Sequence, residues 1–533
     1  MNTFGSVLRD LGYEEEVAKR FDHILLPFKL KEHQVTGLHH ALHKPRLGLF
    51  YPPRTGKTIV MQLTAILNAY YGMGTLQLMP PGLFRQFLGD YGKISNHGLN
   101  IAIFNQAPAR RDKAIKEWKE GKGKPHIILL SKEIFKKHKE SLVNLGYTSV
   151  HYDEAHMGLQ GGVGNRYSKG SETARAIKWF AGTQPTNDRR LILSTGSPIP
   201  TNIERVYTTL SLLTPGAYRS QEAFESMHCN YTLAFVPGKD GPRRIPVIDS
   251  YKSLDTLNRV LYHNAVRVPQ REVLNIEAPN IQLIETELSG PHKTLYSKLV
   301  KEMTLELPDG TVLDARQPQK RREVALQIVT NPQKYSASVK KNSVIDTLVA
   351  LTDSVDIRQN KAVIFANYNS SVETIAKHYK SLNPAIVYGP NGPSKNSMEV
   401  DRFRGSSCNL LVANPVAGGV GFTLGDVCQT IIFAEPVGSP GVFEQALSRI
   451  LLIGQTEPVV CYILKVVNTI SVTAIENMLN KSFDLDKVIR DEKGLLDALL
   501  GKESVLADNR FMTEQEETSY ESVGDDREAA AVC

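Results

Sequence analysis

Two short strings carry the side chains in this sequence that are best equipped for chemistry. One is Tyr51-Pro-Pro-Arg-Thr-Gly-Lys-Thr58 and the other is Asp153-Glu-Ala-His156. A glycine turn followed by lysine and threonine suits phosphate. Backbone amides around Gly56 cradle the oxygens, Lys57 neutralises them, and Thr58 ligates magnesium. An acidic pair at a strand end suits the other half of the reaction. Asp153 is the candidate Mg2+ carboxylate, and Glu154 orients or deprotonates the attacking water. Each string alone is common. Here they come in order, each behind an apolar run, at about the spacing of one mononucleotide-binding domain. Together they read as the halves of a site that binds ATP with Mg2+ and hydrolyses it. The loop is unusual in one respect: Tyr51 and Arg54 stand where a phosphate loop often has glycines.

Residues of this kind have to be presented at the carboxyl ends of parallel strands, and the surrounding sequence supplies such strands. Arg46–Tyr51 reads as a strand, followed by a helix from Lys57 to about Tyr70. The apolar runs at 76–79, 101–104, 127–130, 149–152 and 191–194 continue the series, with helical stretches between them. Alternation of this kind predicts an α/β fold, a doubly wound parallel sheet with helices on both faces. Residues 216–285 lose the alternation and read as a helical insertion or connector, broken by the basic Pro237–Arg244 stretch. A second α/β series follows, with strands at 362–365, 385–388, 410–413, 430–433 and 459–464. The predicted organisation is a first lobe over 1–215, the connector over 216–285, a second lobe over 286–500 and an acidic tail over 501–533.

Composition sets outer bounds. With 533 residues the chain exceeds one ordinary core. It has no apolar run of about 18 residues, which argues against a membrane span. The polar amino terminus argues against secretion, and five scattered cysteines fit reduced thiols in a cytosol. Net charge is +7, unevenly spread: nine Asp/Glu against three Lys/Arg in 502–533 leave +13 on the rest. A basic body of this size is compatible with a polyanionic partner.

Further strings give the pattern a family. Leu30-Lys-Glu-His-Gln34, Ser194-Thr-Gly-Ser-Pro-Ile-Pro-Thr-Asn202, Lys361–Tyr368, Ala417-Gly-Gly-Val-Gly-Phe-Thr-Leu424 and Gln445-Ala-Leu-Ser-Arg-Ile-Leu-Leu-Ile-Gly-Gln455 follow in order. With the two strings above, the chain resembles helicase superfamily two over roughly residues 28–480, and specifically its Swi/Snf-type double-stranded DNA translocases. The closing Ile-Gly-Gln is the most diagnostic part. The resemblance implies two RecA-like lobes in tandem that close on one ATP.

It also implies roles. Phe28 and Gln34 would receive the adenine, the ring packing on Phe28 and the Gln34 amide pairing with the base edge. Thr55, Gly56, Lys57, Thr58 and Gly421 would complete the nucleotide contacts, glycines such as Gly418 and Gly421 permitting close backbone approach. Arg449 is the candidate arginine finger. Ser194, Thr195 and Gly196, with His156 and Gln445, would couple hydrolysis to lobe movement. Arg85, Asn367, Asn414 and Gly418 mark the segments that would grip DNA without reading its sequence. Leu452 departs from the family, which usually has a second arginine there, and a leucine cannot replace a guanidinium fork.

The function so implied is an ATP-dependent motor on duplex or branched DNA, a monomer in a bacterial or phage-infected cytosol, serving repair or replication. The alternatives are a strand-separating helicase and a nucleotide-switched DNA-binding scaffold with little hydrolysis.

Overall fold

The computed structural model describes residues 2–52, 55–159, 171–182, 188–199, 202–238, 241–268, 279–405, 407–416, 424–451 and 458–489. The first lobe is built on β1 (Arg46–Phe50), β2 (Gly74–Leu78), β3 (Ile101–Ile103), β4 (Ile127–Leu130), β5 (Tyr147–Asp153) and β6 (Arg190–Ser194). Most of these strands are buried along their length because helices cover both faces. The helix Lys57–Tyr70 shows why: Ile59, Val60, Leu63, Ile66 and Leu67 recur at helical spacing and are all buried. Two apolar clusters fill the two sides of the sheet, one around Leu76, Phe135 and Phe180, the other around Leu38, Leu49 and Leu63.

The connector departs from the helical expectation. The helices Gln221–His228 and Leu254–His263 flank a long antiparallel hairpin, β7 (Cys229–Gly238) and β8 (Gly241–Tyr251). Pro242 and Pro246 are poor helix formers, and the aromatic and branched residues around them favour strand. Beyond the hairpin, β9 (Ala265–Arg267) pairs in parallel with β1. It completes a seven-stranded sheet of order β3-β4-β2-β5-β6-β1-β9.

The second lobe begins earlier than the hydrophobic runs suggest, with β10 (Asn280–Glu287). A small antiparallel pair, β11 (Thr304–Glu306) and β12 (Val312–Asp314), sits between the helices Gly290–Glu302 and Pro318–Thr330. Then come β13 (Ala362–Phe365), β14 (Ala385–Val387), β15 (Leu410–Ala413), β16 (Thr430–Phe433) and β17 (Val460–Val467). The six-stranded parallel sheet runs β10-β17-β16-β13-β15-β14. Two parallel α/β lobes in tandem are therefore present, as the alternation predicts.

The lobes are joined a second time. The helix Ile470–Ile489 leaves β17 and returns to the first lobe, where Val488 is fully buried in that lobe's core cluster. Asn258 Nδ2, on the connector helix, donates to the Val488 carbonyl at 2.5 Å. Cys229, Cys408, Cys428 and Cys461 are buried free thiols. Among the described residues no helix is long and apolar enough to cross a membrane.

Candidate nucleotide site at the seam of the lobes

Register places the site. Leu49 on β1 lies beside Ser194 on β6, and Ser194 lies beside Asp153 on β5. The phosphate-loop strand and the acidic strand are thus separated by the strand that ends in Ser194, all three opening at one edge. Ser194 Oγ donates to Asp153 Oδ1 at 3.0 Å.

The loop after β1 leads into the helix Lys57–Tyr70 through Gly56, whose φ is +92°. A side chain there would be doubly excluded, because a Cβ would lie 2.1 Å from Gln34 Nε2. Gln34 cannot step aside. It is buried, its Nε2 donates to Thr55 O at 3.1 Å, and its Oε1 accepts from Lys31 N at 3.0 Å. His33 Nε2 also meets Thr55 O at 2.7 Å. Tyr51, in the place of a usual glycine, is fully buried and its hydroxyl donates to His33 O. The loop is therefore buttressed by the helix Glu32–His43. Gly56→Ala is expected to cost about 1–3 kcal/mol from backbone strain alone. Thermal unfolding would read that loss, together with weakened ATP binding.

Lys57 Nζ donates to the carbonyls of Tyr51 at 2.8 Å and Pro52 at 3.2 Å. Its charge also registers at Asp153. Thr58 follows, half-buried, in the first helical turn. Burial first, then the charge of Glu154, pushes the Asp153 carboxyl up to about 6, against the pull of Lys57. Glu154 sits in the left-handed region with φ +49°, which turns the pair sharply at the strand end. Its Oε2 lies 3.4 Å from His156 Nδ1 and has no well-directed hydrogen bond.

Burial lowers the His156 pKa to about 4, so the ring is neutral near pH 7. Its Nδ1 meets Thr195 Oγ1 at 2.8 Å and its Nε2 meets Gln445 Nε2 at 3.0 Å. A neutral ring that accepts from the Gln445 amide at Nε2 donates from Nδ1 to Thr195. Gln445 belongs to the second lobe, in the helix Pro440–Ser448, and Arg449 caps that helix. Burial lowers the Arg449 pKa to about 10 while the Glu154 carboxylate opposes the shift, so the guanidinium remains charged beside it. Gln445 of the second lobe thus meets His156 of the first, and the Arg449 charge is felt by Glu154 across the seam.

The other predicted residues have partners of their own or stand exposed. The Gln34 amide is occupied by backbone groups, and Phe28 is 47% exposed. Gly196 follows Thr195 at the mouth of the sheet, half-buried. Arg85 is exposed on the helix Phe84–Tyr91, beyond the end of β2. Asn367 Nδ2 donates to Pro436 O and Asn414 Nδ2 donates to Asn367 O, each at 2.5 Å, so both side chains shape their own loops. Arg54, Gly418, Gly421 and Leu452 lie outside the described residues. A cavity of about 170 Å³ lies beside Asp153 and Glu154, with Met79, Pro80, Ser131, Lys132 and Tyr152 in its wall. No sequence pattern marks it, because its lining comes from three separate segments.

Residues 83–341, just under half of the chain, match the SNF2-related domain. Two parallel lobes joined around the phosphate loop and acidic pair agree with that likeness. The chain is similar to the Snf2-type ATPases. It is 26% identical over 372 residues to the Drosophila melanogaster SWI/SNF-related matrix-associated actin-dependent regulator of chromatin subfamily A-like protein 1, covering 69% of this chain and 44% of that one. It is 22% identical to the Bacillus subtilis uncharacterized ATP-dependent helicase YqhH, covering 72% of this chain and 66% of that one. It is 23% identical to the Saccharomyces cerevisiae DNA repair and recombination protein RAD54, covering 67% of this chain and 41% of that one. The chain spans less than half of the Drosophila and yeast relatives.

Proposed function

We propose that this protein is an ATP-driven motor that moves along duplex or branched DNA and remodels DNA or protein–DNA complexes. The observation that carries the reading is the meeting at the seam: Gln445 on His156, and Arg449 beside Glu154. Hydrolysis that needs groups from both lobes proceeds only when the lobes are together, so each turnover is tied to a closure and a reopening. A strand gripped by both lobes is then advanced. The printed names of the yeast and Drosophila relatives, which speak of DNA repair and chromatin, support DNA as the track.

Magnesium fits the donor set. Thr58 and Asp153 offer hard oxygen ligands, and the raised Asp153 pKa marks a buried carboxylate short of positive compensation. When bound, the ion would screen the phosphate oxygens. Lys57 would bind the β- and γ-phosphates, Glu154 would hold the attacking water, and Arg449 would meet the charge that develops on the γ-phosphate. Ser194 would keep the Asp153 carboxylate in orientation.

The test is ATP turnover with and without duplex DNA, in the native chain and in Lys57→Ala. The native rate should rise with DNA, and the variant should lose about 100-fold at every DNA concentration. Equal and negligible rates for both would leave only a nucleotide-switched scaffold.

Strand separation is the second reading, favoured by the hairpin β7–β8. Its Leu233 is 61% exposed, Tyr231 45% and Ile245 39%, an apolar surface of the kind a wedge between bases needs. Displacement of a duplex strand, set beside displacement of a triplex-forming strand, separates the two. A translocase clears only the triplex.

A further inference from the structure

Glu435 lies two residues past β16 and is 2% exposed. A carboxylate buried this deeply has to be held by donors. Its Oε2 accepts from the amide of Asn367 at 2.6 Å and from that of Tyr368 at 3.2 Å. These amides lead into the helix Asn369–His378, an end that favours negative charge. The Ser371 and Thr330 hydroxyls stabilise the same carboxylate, against a burial that pushes its pKa up. Thr330 closes the helix Pro318–Thr330. One carboxylate therefore ties β16 to two helices.

The same junction reaches further. Asn367 donates to the carbonyl of Pro436, the next residue after Glu435, and Asn414, just past β15, donates to Asn367 O. From Pro436 the chain turns directly into the helix Pro440–Ser448. That helix carries Gln445 to His156 and sets Arg449 beside Glu154.

We propose that Glu435 is a positioning residue that couples nucleic-acid contact at the 367–371 loop to the placement of Gln445 and Arg449 at the nucleotide. The inference rests on the DNA-motor reading above.

Glu435→Gln keeps the shape and one acceptor oxygen but removes the charge. Its turnover without DNA should stay within about twofold of native, while stimulation by duplex DNA falls about tenfold. The DNA concentration for half-maximal stimulation should rise in parallel. Undiminished stimulation in the variant overturns the inference. So does an equal fall of the basal and stimulated rates, which is what a merely structural role produces. Thr330→Val removes a single hydroxyl at nearly constant volume and should lower stimulation in the same direction by a smaller factor. If Glu435→Gln fails to fold, unchanged stimulation in folded Thr330→Val is the overturning result. A native chain that DNA does not stimulate overturns the motor reading and this inference together, and it shows before any variant is compared.

Discussion

Arg449→Ala should lower ATP turnover by about 10³–10⁵-fold, the range that an arginine acting on a transferring phosphoryl group supplies. Arg449 is half-buried, and its guanidinium stays charged because the Glu154 carboxylate opposes its desolvation. Truncation removes the one arginine of this helix end. The sequence offers no second one three residues on, where Leu452 stands, so the full effect should appear in the single variant. Arg449→Lys should not restore the rate, since an ammonium supplies a point charge without the planar fork. Single-turnover hydrolysis at saturating ATP measures the loss. Nucleotide affinity should fall far less, as expected of a contact made mainly in the transition state. A rate within about tenfold of native would mean that the charge on the γ-phosphate is met from elsewhere.

Glu154→Gln should cost about 10²–10⁴-fold in turnover while ATP binding persists. The residue is held at φ +49° immediately after β5, which separates its carboxylate from that of Asp153. Glutamine fits the same space but cannot take a proton from water. It also removes the negative charge that favours the Arg449 guanidinium. The two substitutions should therefore be strongly non-additive, the double variant losing little more than the worse single one. Fully multiplicative losses would show that Glu154 and Arg449 act at independent places.

Much of this was legible in the amino-acid order. The runs at 127–130, 362–365, 410–413 and 430–433 coincide with β4, β13, β15 and β16 because a strand buried on both faces needs uninterrupted apolar residues. Two strands at the edges of the large sheets escaped. β9 has three residues, and β10 alternates Ile281 and Leu283 with polar neighbours at a sheet edge. The hairpin escaped because Tyr231, Leu233 and Ile245 are exposed, so their alternation marks no buried face, although Tyr251 at its end packs against the first lobe's core.

At the site, the spacing of Lys57, Asp153 and Arg449 announced their types but not their partners. Gln34 has the side chain to read a base, and only the coordinates place its amide on Thr55 O and Lys31 N. Glu435, between alanine and proline after an apolar run, has the sequence of an ordinary surface carboxylate. Its burial depends on donors from residues more than 60 positions away, which no local pattern encodes.

The returning helix Ile470–Ile489 has a consequence for how the molecule can be cut. Because Val488 is interior to the first lobe, a chain ending after β17 would leave that lobe with an open apolar socket and the second lobe with a severed tether. Neither half is self-sufficient, and the amino-terminal half cannot reach its finished shape until nearly the last described residue has been made. Synthesis order and folding order thus part company: the first lobe is started early and sealed last.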